Sequence, residues 1–124
     1  MGWRHDEKKA RRLAESDPGS AHDLIERVIP EARSSSLCGT EHLCDLLVLE
    51  AELAKSTGRP EREHAARAEL TELCEEAIAE QDRVLADHEG GGGFSVTGAL
   101  HIKARYLARL GRNDEENRLL LQAA

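Results

Sequence analysis

Cys38, His42 and Cys44, near the middle of the chain, carry side chains that could bind a metal ion. Thiolate and imidazole are the ligands that zinc prefers in proteins. On a helix, Cys38 and His42 share a face, whereas Cys44 points about 160° away from His42. A structural zinc site also needs a further close pair of ligands, and the remaining cysteine, Cys74, stands alone in a leucine stripe. The spacing therefore predicts no metal site.

The segment Glu61-Arg62-Glu63-His64 contains one Glu-x-x-His motif. Di-iron helical bundles use two such motifs and two further glutamates, and the sequence has no second copy. It also has no Gly-x-Ser-x-Gly motif and no phosphate-binding loop. We therefore predict no catalytic residue and no cofactor, and a protein that is not an enzyme.

Three basic residues follow one another at intervals of four near the C-terminus: His101, Arg105 and Arg109. On a helix, this spacing places them along one side. Guanidinium groups bind carboxylates through paired hydrogen bonds, so the stripe suits an acidic group of a partner. The alternative is a cationic face that contacts only water beside acidic helices. These three residues are the predicted partner-binding site.

The composition indicates an all-α protein. Apolar residues make up 40% of the 124 residues and only 2% of the chain is aromatic. Leucine and alanine dominate the apolar set, and both favour helices over strands. Three cysteines without paired spacing indicate reduced thiols. Without a long apolar run or an N-terminal secretion signal, the chain is predicted to be cytoplasmic, with no membrane partner.

Charge is distributed unevenly along the chain. The formal net charge is −7, whereas residues 1–12 carry +3, which leaves −10 for the remainder. An acidic body repels phosphate groups, so we do not expect nucleic acid as a partner. The basic N-terminal helix is predicted to pack against the acidic body of its own chain, or to offset its charge. The alternative is that its basic face contacts a nucleic acid or an acidic partner.

Apolar periodicity and turn residues predict six helices, over about 3–16, 18–29, 40–56, 60–88, 95–110 and 113–123. Asp17 is the predicted N-cap of the second helix, ahead of Pro18. Pro30 is expected to end that helix. Thr40 is the predicted N-cap of the third helix. The four glycines at 90–93 are predicted to form a flexible linker.

Breaks near Pro18, Gly58 and Gly111 group these helices into three antiparallel hairpins, over about 3–29, 40–88 and 95–123. We predict a single helical-repeat domain over residues 1–124. Because no hairpin can cover its own apolar face, stacking into a short α-solenoid is the favoured architecture. A closed six-helix bundle is the alternative.

The last two hairpins are loose copies of each other, with Gly58 and Gly111 53 residues apart. In this alignment Lys103 takes the position of Glu50. Glu50 lies on the apolar side of its helix, where a carboxylate must be paired or protonated. We predict a buried ion pair between Glu50 and Lys103, with Arg105 as an alternative partner. A functional carboxylate in a pocket is the other interpretation.

This pattern resembles tetratricopeptide repeats, although the 53-residue spacing exceeds the usual ~34 residues. The resemblance is strongest to the longer, degenerate repeats in helical sensor domains of bacterial transcription activators of the maltose-regulator type. The best-matching residues are Ala104, Tyr106, Leu107, Leu110, Gly111, Arg112, Asp114 and Glu115. The resemblance implies a scaffold that binds proteins or peptides, with His101 and Arg105 facing a concave groove.

We therefore expect a non-enzymatic interaction module, regulatory or scaffolding, that binds an acidic peptide or protein on a concave helical surface. One alternative is a small helical protein that binds a metal or senses a ligand. Another is a homodimeric structural subunit, because the run Leu119-Leu120-Leu121 leaves apolar surface uncovered.

Overall fold

The computed structural model describes residues 2–87 and 94–123, and over these residues the chain is helical, with no strand. The six helices are α1 (Trp3–Leu13), α2 (Pro18–Arg33), α3 (Thr40–Ser56), α4 (Pro60–Asp87), α5 (Phe94–Arg109) and α6 (Asn113–Ala123). The predicted all-α class with six helices is confirmed. The predicted glycine linker at 90–93 lies outside the described residues. None of the helices described here has both the length and the apolar character needed to cross a bilayer.

Helix α2 begins as predicted but ends one turn later. Its N-cap is Asp17, whose Oδ1 accepts the backbone N–H of Ser20 at 3.2 Å, and Pro18 follows directly. The prediction that Pro30 ends the helix is wrong. The last turn persists because Ala32 is fully buried and Arg33 binds Glu69 of α4. These tertiary contacts offset the backbone hydrogen bond that proline cannot donate.

Helix α3 begins at Thr40, which is therefore its first residue and not its N-cap as predicted. The residue in the N-cap position is Gly39, which offers no side chain to accept a hydrogen bond. Along α3 the largest fully buried side chains, Leu46 and Leu47, lie on the side facing away from exposed Asp45 and Glu52. One face of α3 therefore supplies the core and the other contacts water.

The turn after α3 and the turn after α5 have the same backbone structure. Gly58 and Gly111 have φ values of 69° and 75°, a left-handed conformation that side chains disfavour. In the first turn the Gly58 N–H donates to the carbonyl of Lys55 at 3.3 Å. The following N–H, of Arg59, donates to the carbonyl of Ala54 at 2.8 Å. Both bonds recur 53 residues later, from Gly111 to Ala108 at 3.0 Å and from Arg112 to Leu107 at 3.0 Å.

Buried positions repeat with the same interval. Leu46, Leu47, Ala51, Leu53 and Ala54 are buried in α3. Their counterparts in α5 are also buried: Ala99, Leu100, Ala104, Tyr106 and Leu107. The loose copy seen in the sequence is therefore a structural repeat of a helix, a glycine turn and the start of a second helix.

The chain divides into two compact units, Met1–Leu70 and Thr71–Ala124. In the first unit α1 packs on α2, and α2 packs on α3. In the second unit α5 packs on α6. This packing of adjacent helices is consistent with the predicted arrangement of helical hairpins. The single domain over 1–124, and the choice between a solenoid and a closed bundle, stay predictions.

Within the first unit, helix α1 packs through Trp3 and Glu7, which are both buried. The Trp3 ring meets the His42 ring edge-on, with centroids 5.2 Å apart. The Glu7 carboxylate lies 2.7 Å from His42 Nε2 and also accepts a hydrogen bond from Arg11. On the basic side of α1, Arg4 donates to the Leu37 carbonyl at 3.4 Å. Two basic side chains of α1 thus contact their own chain.

Candidate functional site

The three predicted partner-binding residues lie on α5. His101 and Arg105 are exposed, and Arg109 is half-buried. Residues 94–109 include four basic residues, His101, Lys103, Arg105 and Arg109, and neither aspartate nor glutamate. We call the surface formed by His101, Arg105 and Arg109 the basic side of α5. Its positive charge stands out in a chain whose net charge is −7.

Arg109 is held in place by its own helix. Its Cζ lies 5.6 Å from the centre of the Tyr106 ring, and its Nη1 donates to the carbonyl of Arg105 at 3.1 Å. Tyr106 is buried, so the ring offers a fixed surface to the guanidinium group. A guanidinium that is already positioned loses little freedom when it binds a carboxylate.

Lys103 has a partner within its own unit. Its Nζ donates to Oδ1 of Asp82, in α4, at 2.7 Å. Lys103 therefore adds little net positive charge to the surface of α5. Glu50 belongs to the first unit and Lys103 to the second, and their predicted pairing stays a prediction.

Glu50 lines a groove of about 390 Å³ formed by residues of α2, α3 and α4. We call it the Glu50 groove. Its other residues are Glu26, Ile29, Pro30, Arg33, Leu47, Arg62, Ala65, Ala66 and Glu69. The apolar members form walls, and the charged members surround Glu50 with carboxylates and guanidinium groups.

Four of the five charged residues in the Glu50 groove form two ion pairs. Arg33 Nη2 donates to both carboxylate oxygens of Glu69, each at 2.6 Å. Arg62 Nε lies 3.5 Å from Oε1 of Glu26. Within the described residues, Glu50 itself makes neither a hydrogen bond nor an ion pair. The groove therefore carries one carboxylate more than it has guanidinium groups.

The pKa of Glu50 is raised above its ordinary value. The main cause is burial, which penalises the charged form. The nearby carboxylates of Glu26 and Glu69 raise the pKa further, while Arg62 and Arg33 oppose the change. A cation placed beside Glu50 would favour the charged form of this carboxylate.

The second unit contains a groove built in the same way, with a volume of about 310 Å³. Lys103, Glu115, Arg118, Leu119 and Gln122 line it. Each of these follows, by 53 residues, a residue of the Glu50 groove: Glu50, Arg62, Ala65, Ala66 and Glu69. The repeat therefore forms equivalent grooves twice, and the position of Glu50 carries the opposite charge in the second.

His22 is a buried histidine whose contacts indicate a structural role. Its side chain is inaccessible to solvent, and its Nδ1 contacts the guanidinium of Arg59. Burial lowers the pKa of His22, and the carboxylate of Glu26, 3.5 Å from Nδ1, opposes this change. Its Nε2 has no partner within the described residues. A neutral imidazole that accepts from Arg59 satisfies the ring at Nδ1 alone.

The three cysteines have unreactive surroundings. Cys44 and Cys74 are buried, and Cys38 is half-buried with its Sγ 3.7 Å from the Gly39 carbonyl. Burial and the carboxylate of Glu7 raise the pKa of Cys38, which disfavours a nucleophilic thiolate. Among the described residues, no three His, Cys, Asp or Glu side chains come together as metal ligands do. The metal-binding alternative stays a prediction.

The burial of Glu7 and the ion pair between Arg33 and Glu69 were not predicted from the sequence. Glu7 lies four residues after Trp3 and three before Ala10, so helical spacing could have placed it on the buried side of α1. The bond between Arg33 and Glu69 gives no such signal, because it joins residues 36 positions apart on different helices. Sequence periodicity identifies helix faces but not which side chains meet across them.

Comparisons with known proteins assign no family to this chain. No protein-family model matches it, and neither a curated protein nor a solved structure does. The proposals that follow therefore rest on the residues of this chain.

Proposed function

We propose that this protein is a non-enzymatic interaction module that binds an acidic segment of a peptide or protein on the basic side of α5. The observation that carries the proposal is the charge of residues 94–109, which have four basic side chains and no acidic one in an acidic chain. Lys103 pairs with Asp82, and the side chains of His101 and Arg105 are exposed at the surface of the same helix.

The spacing of the basic side suits an extended acidic segment. Residues four apart on a helix lie one turn, about 5.4 Å, apart along the axis. His101, Arg105 and Arg109 therefore offer hydrogen-bond donors over two turns. Successive carboxylates of an acidic peptide can each contact one donor, and bidentate bonds to the arginines favour carboxylates over other anions. Because the remainder of the chain is acidic, binding depends on these short-range contacts and weakens as salt screens them.

The resemblance to tetratricopeptide repeats supports the same function. Proteins of that kind act as scaffolds that hold peptides or other proteins, and the helical hairpins described above are compatible with such a role. We propose a regulatory or scaffolding part for this chain, and a cytoplasmic location that fits three cysteines without a disulfide bond. We do not expect nucleic acid as a partner, since a net charge of −7 repels phosphates.

The proposal is tested by fluorescence anisotropy with a labelled oligoglutamate peptide at low ionic strength. We expect Arg105→Ala to weaken binding about fivefold, because an exposed ion pair contributes up to about 1 kcal/mol. Arg27→Ala is the matched control, since Arg27 is also an exposed arginine on a helix and its loss changes the net charge equally. This control variant should bind like the wild type.

Two results would remove the assignment. If Arg105→Ala and Arg27→Ala weaken binding equally, the peptide responds only to net charge. If neither variant changes an affinity that the wild type does show, the peptide binds elsewhere on the chain.

A further inference from the structure

We propose that the Glu50 groove binds a primary ammonium group at the end of a short aliphatic chain. The site shares no residue with the basic side of α5, and its ligand has the opposite charge. All of its lining residues belong to the first unit, Met1–Leu70.

The first argument is the charge left over in the groove. Arg33 donates two short hydrogen bonds to Glu69, and Arg62 lies beside Glu26. Glu50 remains without a hydrogen-bond donor in the part of the chain that the structure describes. A half-buried carboxylate in this position carries a desolvation cost that Arg62 and Arg33 offset only in part. A cation from outside would supply the missing charge.

The second argument is the equivalent position of the repeat. Lys103, 53 residues after Glu50, also lies in a groove, and it donates to Asp82 at 2.7 Å. That partner comes from α4, the helix that precedes α5. The helix that precedes α3 is α2, and the charged groups it turns towards Glu50, those of Glu26 and Arg33, are already paired. The same architecture thus satisfies Lys103 internally and leaves Glu50 for a ligand.

The third argument is the character of the walls. Ile29, Leu47 and Ala66 are buried core residues that also line the groove. They offer an aliphatic surface beside the carboxylate, which suits an alkyl chain more than a bare metal ion. The volume of about 390 Å³ lies within the range of small-ligand sites, roughly 300–1,000 Å³. Arg33 and Arg62 place positive charge near the groove, so a second ammonium group on the ligand would be repelled.

Binding of this kind depends on pH in a defined direction. An ammonium group pairs with the ionised form of Glu50. Because burial raises the pKa of Glu50, this carboxylate is protonated at a higher pH than an ordinary glutamate. The groups that face Glu50 are the carboxylates of Glu26 and Glu69 and the guanidinium groups of Arg33 and Arg62. Affinity for the amine should therefore fall as the pH is lowered.

The test is an NMR titration of the full chain with butylammonium, followed through backbone amide shifts. We expect saturable shifts at the residues of the Glu50 groove. Butanol, which has the same chain without the charge, should not produce them. Glu50→Gln keeps the size of the side chain and should weaken binding at least about tenfold, since it removes a charge-assisted hydrogen bond. Lys103→Met should bind butylammonium like the wild type.

The control at Lys103 also separates this proposal from the predicted pair between Glu50 and Lys103. Tighter binding in Lys103→Met would show that the lysine occupies the carboxylate, and would overturn the proposal. Unchanged affinity in Glu50→Gln, or equal shifts with butanol, would overturn it as well. Neither result would affect the assignment of the basic side of α5.

A further arm identifies the source of the ammonium group. Nα-acetyl-lysine amide carries the same group on a peptide-like unit. If it binds as well as butylammonium, the proposal is supported and the natural ligand is the lysine side chain of a protein. If only butylammonium binds, the proposal is supported and the natural ligand is a free amine.

Discussion

A charged side chain that leaves water needs a partner or loses its charge, and three side chains of this protein illustrate the outcomes. Glu7 is buried and lies 2.7 Å from His42 Nε2. His22 is buried without a solvent contact, and burial lowers its pKa so that the neutral form prevails. Glu50 makes neither a hydrogen bond nor an ion pair within the described residues, and its pKa is raised. Of the three, Glu50 is therefore the one available to a ligand.

His22 should make folding stability depend on pH. The pKa of His22 is lowered in the folded state. Below about pH 6.5 its imidazole therefore binds a proton in the unfolded chain but not in the folded chain. Stability from this group is therefore present above pH 6.5 and is lost as the pH falls towards the folded-state pKa. The slope contributed by one such group is at most about 1.4 kcal/mol per pH unit.

Urea unfolding across the range between about pH 5 and pH 7 measures this slope. We expect His22→Leu to flatten the pH dependence of the free energy of unfolding relative to the wild type. His64→Gln, which removes an exposed histidine of α4, should keep the wild-type slope. A wild-type slope in His22→Leu would contradict the buried, neutral state of His22.

At the scale of the helices, much of the structure follows from local residues. Asp17 and Pro18 mark the start of α2, and Gly58 and Gly111 mark two turns, because each acts through its own backbone or its immediate neighbours. The end of α2 does not follow from Pro30, because the contacts that keep the last turn of α2 are tertiary.

The two candidate sites also combine features that follow from local sequence with features that depend on tertiary packing. The basic side of α5 and the exceptional position of Glu50 were recognisable from helical spacing alone. The Glu50 groove was not, because it depends on Arg33, Glu69 and other side chains that meet only after α2, α3 and α4 pack. No periodicity in a single helix encodes such a meeting.

Three glycines provide a test of the repeated turn. Alanine at Gly58 or Gly111 must adopt a left-handed conformation and should lower the free energy of unfolding by about 1 kcal/mol. Gly98 lies inside α5, and a Cβ added there meets no atom within 4 Å. Gly98→Ala should therefore raise the free energy of unfolding by about 0.5–1 kcal/mol. Urea unfolding of the three variants measures both signs, and a loss in all three would argue against the turn as the cause.

For the whole molecule, the arrangement of charge matters more than its sum. A net charge of −7 is combined with a basic N-terminal segment and a basic α5. Arg4 and Arg11 of the N-terminal segment already contact their own chain, through the Leu37 carbonyl and Glu7. The basic side of α5 is the surface that we propose for an external acidic partner. The homodimer alternative stays a prediction, supported by Leu120 and Leu121, which are 40% and 78% exposed.

Whether α5 binds acidic segments is tested most directly by mapping the backbone amide shifts of the wild-type protein as an oligoglutamate peptide is added. The largest changes should occur at His101, Arg105 and Arg109, and they should shrink when salt is added. The strongest changes on α1, around Arg4 and Lys8, would contradict this assignment, as would the absence of any saturable change.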